Sequence, residues 1–158
     1  MFDTIDGLPV HALVVHGVVV LLPLGVIGTI AIAVRPSWRR RFGWLVVGVV
    51  AVATALVPVA VQSGRQFEKR VGNPGHHADL GAMMIWFALP LLALVLALVV
   101  LDRRTTAPAG EEGSSTTAVT VVAALAVVAA VACGVQVYRV GESGARAAWG
   151  AVVQSTNQ

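Results

Sequence analysis

The chain has 158 residues, of which 57% are hydrophobic and only 12% charged, with a mean hydropathy of +0.82 and a formal charge of +3. A soluble domain of this size leaves roughly 30% of its unfolded surface in water, and eight acids with eleven bases cannot cover that area, so the composition calls for a lipid solvent. The pI near 10.0 does not call for nucleic acid, because basic residues at the ends of apolar runs orient membrane proteins.

A bilayer core of about 30 Å needs roughly 20 apolar residues in a helix. Four such runs occur, at about 10–34, 42–61, 80–101 and 118–137, separated by connections at 35–41, 62–79 and 102–117. They are continuous rather than alternating, and a lipid-exposed strand would leave backbone groups unpaired, so an all-α integral membrane four-helix bundle, up-down-up-down, is predicted. The whole chain reads as one transmembrane domain.

Before the first span, Asp3 and Asp6 stand where a signal peptide would carry positive charge, so no cleavage is expected. Asp6-Gly7-Leu8-Pro9 then turns the chain into the first helix, near whose start lie His11 and His16. The connection 35–41 packs Arg35, Arg39, Arg40 and Arg41 beside Trp38 and, just beyond, Trp44. By the positive-inside rule it is expected in the cytoplasm, which leaves both termini outside a cell membrane. Gln62 closes the second span. Asn73-Pro74 reads as an N-cap and first helical residue ahead of His76, His77 and Asp79, with Met83 and Met84 about two turns deeper. By composition, 102–117 is a flexible loop with no assigned chemistry. The fourth span holds the single cysteine, Cys133, so no intrachain disulfide exists, and it closes with Gln136, Tyr138, Arg139 and Glu142. Residues 138–158 are expected as a short interfacial helix capped by Ser143, or as a tail.

With four crossings, the starts of spans one and three and the ends of spans two and four share one side. Every histidine falls there, with Gln62, Asp79, Gln136, Arg139 and Glu142, so a polar pocket is expected at that face. His11 and His16 lie about 140° apart on their helix and cannot grip one small ion together. Partners would come from the third span, His11 facing His77 and His16 facing Met84, with His76 as a further metal ligand. Adaptable core packing is the competing explanation for both methionines. A repeated pattern supports such facing: His11 precedes Pro23 by twelve positions and His77 precedes Pro90 by thirteen, while the even spans end in Val61-Gln62 and Val135-Gln136. This suggests a duplicated hairpin.

The opening Gly7-Leu8-Pro9-Val10-His11-Ala12-Leu13-Val14-Val15-His16, the histidine heading span three and the closing Val135-Gln136-Val137-Tyr138-Arg139-Val140-Gly141 resemble the small bacterial membrane proteins grouped as domain of unknown function 2231. Ala12 stands where that family commonly has proline, and Glu142 where histidine or aspartate is often seen. The resemblance implies the four-span architecture in a bacterial cell membrane and leaves the activity unassigned.

Two functions of different class follow. One is a membrane protein that binds b-type haem, or copper, for electron transfer through His11, His16, His77 and Met84, with Arg65, Arg139 or Arg146 near the propionates. No Cys-x-x-Cys-His is present, so such a haem would be non-covalent. The other is a non-enzymatic accessory, assembly or scaffold protein, acting as a homodimer or with a membrane partner through its alanine-rich fourth span. A small transporter or proton relay through His16, Gln62, Gln136 and Glu142 is weaker, because no charge lies at mid-membrane. No serine nucleophile motif, His-Glu-x-x-His or phosphate loop is visible, so no catalytic residue is assigned.

Overall fold

The computed structural model describes residues 4–5, 8–71, 75–105 and 112–156. A two-residue antiparallel ladder, β1 (Thr4–Ile5) with β2 (Leu8–Pro9), leads straight into helix α1 (Val10–Val34). The remaining described elements are helices: α2 (Pro36–Val71), α3 (His76–Met83), α4 (Ile85–Thr105) and α5 (Glu112–Thr156). Four stretches are long and apolar enough to cross a membrane, namely Leu13–Val34, Pro36–Gln66, His76–Arg104 and Thr117–Ala147, with α3 and α4 together forming the third. The protein is an all-α four-helix membrane bundle.

In the bundle α1 lies between α2 and α5, and α4 lies between the same two on the opposite side, so α1 and α4 are diagonal. Leu22, Ile32, Val50, Leu91, Val95 and Leu98 fill the core from three helices, and Ala126, Ala130 and Cys133 line it from α5. Val20, Ile27, Leu45, Trp86 and Val128 face outward, as lipid contacts require. Without a hydrophobic driving force in lipid, helices associate through close backbone approach at small residues. Gly25 shows how tight the α1–α2 seam is: a Cβ there would lie 2.7 Å from Val50 Cγ2. Pro23, Pro58 and Pro90 each interrupt a helix ladder. Near the second, Thr54 donates its hydroxyl to Val50 O at 2.7 Å, as Thr29 does to Gly25 O at 2.8 Å.

The helices outrun the apolar runs. Only Arg35 separates α1 from α2, so most of the arginine-rich segment expected as a connection is the first two turns of α2, opened by Pro36 at its first position. At the other end α2 continues through 62–71. The loop expected over 102–117 is cut back from both sides by α4 and α5, and 106–111 lie outside the described residues. Residues 138–156 continue α5 without a break, so Ser143 is an interior helix residue rather than the cap of a separate interfacial helix. The α3 helix begins at His76 after Gly75, whose φ of 59° only glycine adopts freely. Asn73 and Pro74 lie outside the described residues.

Candidate functional site

Two sets of buried polar contacts, one at each end of the bundle, tie helices together. At the arginine end the cause is Pro36. It has no N–H, so it cannot supply the i→i−4 bond that Ile32 O would otherwise accept. Arg39 supplies donors instead: Nε–H donates to Ile32 O at 3.0 Å and Nη2–H to Ala33 O at 2.9 Å. Its Nη1 donates to Asp102 Oδ1 at 3.0 Å, an ion pair in which the two side chains are only 5% and 11% exposed. One guanidinium thus joins the end of α1, the start of α2 and the end of α4. A cavity of about 320 Å³ lies beside it, lined in part by Pro36, Asp102, Thr120 and Ala123.

At the histidine end the cause is the break between α3 and α4. Met84 N–H donates to Gly81 O at 3.2 Å, one residue short of the regular acceptor, Leu80 O. The buried Gln136 of α5 donates from Nε2 to that carbonyl at 3.1 Å. One helical turn nearer the α3 start, His77 Nδ1 lies 3.0 Å from Ser143 Oγ, and that hydroxyl donates to Val140 O at 2.9 Å. A serine has one proton to give. With it directed at Val140 O, the contact needs Nδ1 to donate; with it directed at the ring, Nδ1 accepts, and the tautomer of His77 decides between the two. The imidazole stands directly over Gly144, where a Cβ would lie 3.0 Å from Cε1.

The register relates the histidines. Gly134 faces Val26 and Gly144 faces His77. The α1 and α5 helices run antiparallel and pack together, so His16 near the start of α1 and His77 against α5 lie at the same end of the bundle. Met84, seven residues on from His77, is about 10 Å deeper, in the core. His16 is exposed on α1, across the bundle from a helix that lies diagonal to it. His77 turns to α5 rather than toward α1. His76 is exposed, and the side chain of His11 lies outside the described residues. Among the described residues no three His, Cys, Asp or Glu side chains gather as a metal would need.

Of the five residues expected to line a polar pocket, Gln136 alone is buried. Gln62, Asp79, Arg139 and Glu142 are exposed, and Glu142 pairs with Arg146 one turn on, at 2.6 Å. Arg39, Asp102 and Ser143 carry the other contacts and were not sequence candidates. Pro36, four residues after Ile32, is the signal that announces an unfilled carbonyl at the arginine end.

A family model described as a predicted membrane protein, DUF2231, matches residues 7–157, and the chain belongs to that family. No curated protein and no solved structure matches it.

Proposed function

From membership in a family of predicted membrane proteins, we propose that this protein is a non-enzymatic membrane scaffold, an accessory or assembly subunit, rather than a catalyst. One observation carries the reading: buried polar side chains join helices to one another. Arg39 is spread over Ile32 O, Ala33 O and Asp102, and Gln136 is spent on Leu80 O. Such groups hold a shape. What the shape presents is at the histidine end, where α2 and α5 both run past their apolar segments. The 19 residues from Tyr138 to Thr156 extend α5 by about 28 Å, and α3 packs against both helices there. The test is extraction from native membranes at natural abundance. A stoichiometric partner that is lost when α5 is truncated after Arg146 supports the scaffold; a lone protein in native membranes overturns it.

A specific observation favours a second reading, cofactor binding. Metal-ligating histidines characteristically donate their second ring N–H to a fixed acceptor, and Ser143 Oγ stands 3.0 Å from His77 Nδ1, so the tautomer protonated at Nδ1 would offer Nε2 to a haem iron or copper. His16, at the same end of the bundle, would be the second ligand. The dithionite-reduced minus oxidised spectrum, with metal analysis, decides: a Soret shift or stoichiometric copper abolished by His77→Ala supports it, and a colourless, metal-free protein removes it.

A further inference from the structure

Arginine gathers at one end of the bundle. Arg35, Arg39, Arg40 and Arg41 stand at the junction of α1 and α2, and Arg103 and Arg104 at the end of α4, with Asp102 among them. All six bases are arginine, the side chain whose planar fork matches phosphate oxygens in pairs. Arg39 is buried and holds Asp102; the other five are exposed.

Three of the five are mounted on aromatic rings. The guanidinium of Arg35 lies 5.1 Å from the centre of the Trp38 ring, Arg41 is 5.1 Å from that of Phe42, and Arg103 is 5.7 Å from that of Trp44. The last pair joins α4 to α2, so the two arginine clusters form a single collar. Trp38 and Phe42 brace each other edge to face at 6.5 Å. All three rings are exposed, immediately next to the apolar belt, where tryptophan settles at the depth of lipid headgroups. Stacking uses the face of a guanidinium and keeps its in-plane N–H donors available; Arg103 gives one of its own, from Nη2, to Arg40 O at 3.4 Å, which holds it against the start of α2. Rings of this kind at the edge of the apolar belt hold the stacked guanidinium groups beside the headgroup layer.

We propose that this collar is a binding site for anionic phospholipid, taking the headgroup phosphate on Arg35, Arg40, Arg41 and Arg103 with the acyl chains along the outer faces of α2 and α4. Positive clusters flush with transmembrane helices are where anionic headgroups are held. A protein steered only by loop charge would need neither arginine in every position nor a ring beneath three of them.

The protein is reconstituted in phosphatidylcholine vesicles containing phosphatidylglycerol as the minor lipid, extracted in mild detergent and weighed by native mass spectrometry. Retained phosphatidylglycerol is expected at about tenfold its share of the bilayer. In Arg40→Gln/Arg41→Gln/Arg103→Gln the enrichment is expected to vanish, while Arg65→Gln/Arg139→Gln/Arg146→Gln, which removes equal charge from the other end, keeps it. Where the triple variant does not fold, Arg41→Gln alone is expected to lower the enrichment severalfold. Equal retention of the two lipids by the unmodified protein overturns the proposal, as does equal loss in both triple variants, which would mean bulk charge. Displacement of the lipid by millimolar inorganic phosphate overturns it in favour of a soluble anion.

Discussion

Ile32 and Leu80 lose their regular backbone partners for different reasons, one to a proline and one to a break between helices, and each finds a donor on another helix. The two substitutes differ in what depends on them. Removing Gln136 costs one interhelical hydrogen bond, which in membrane bundles averages below about 1 kcal/mol and reaches about 2. Removing Arg39 exposes two carbonyls and strips Asp102 of its buried cation, a class of change that costs about 3–5 kcal/mol. Arg39→Ala is therefore expected to lower stability in detergent several times more than Gln136→Leu, as read by denaturant titration. A larger loss for Gln136→Leu would show that the arginine end does not hold the bundle. Arg39→Lys should recover little, because one ammonium cannot span three acceptors in a fan. None of this was visible in the apolar pattern. Arg39 reads as one of four arginines within seven positions, and Asp102 lies 63 residues away at the edge of a segment whose composition suggests a loop. Pairing at that distance leaves no periodic trace.

For the elements the sequence speaks more clearly, with a consistent bias. Hydropathy locates what must be out of water, and the four runs match four crossings. It says nothing of where a helix stops once it is wet. Arginine, alanine and glutamate are good helix formers, and they carry α2 and α5 beyond their apolar runs, just where a loop and a capped second helix were expected. The seams between helices were hidden for a different reason: a glycine in such a sequence is common, and only the neighbour shows what it does. Gly25 and Gly48 make the contrast measurable. A Cβ at Gly25 meets Val50 within 2.7 Å, whereas at Gly48 nothing lies within 4 Å. Gly25→Ala is expected to lower stability by about 1–3 kcal/mol through overpacking, and Gly48→Ala to leave it unchanged or raise it by up to about 1 kcal/mol. Thermal unfolding of the two variants in one detergent reads both, and similar melting points would remove the case for a tight α1–α2 seam. At Gly144 the same change should push the His77 ring from Ser143 and, on the cofactor reading, abolish any haem band with it.

For the whole molecule the decisive property is that its two ends are chemically different, one carrying the arginine collar with its aromatic rings, the other the histidines and the long helix extensions. The bias of arginine toward the inner side predicts that the arginine end meets the cytoplasm, and the bundle makes that prediction testable with few substitutions. Cys133 is fully buried, so a Cys133→Ala background removes the one native thiol with a small change of volume. On it, Ser37→Cys reports the arginine end, and Gln66→Cys and Ala147→Cys report the histidine end from two different helices; all three positions are exposed. In intact cells a membrane-impermeant maleimide is expected to label positions 66 and 147 and to spare position 37 until the membrane is opened. Labelling of position 37 alone would invert the protein and place the collar against the outer leaflet, which leaves its phosphate chemistry intact but changes the lipids available to it. Different behaviour at 66 and 147 would be more serious. Those positions share a side only if the chain crosses an even number of times between them, and the contacts of His77 with Ser143 and of Gln136 with Leu80, which join the start of the third span to the end of the fourth, require that it does.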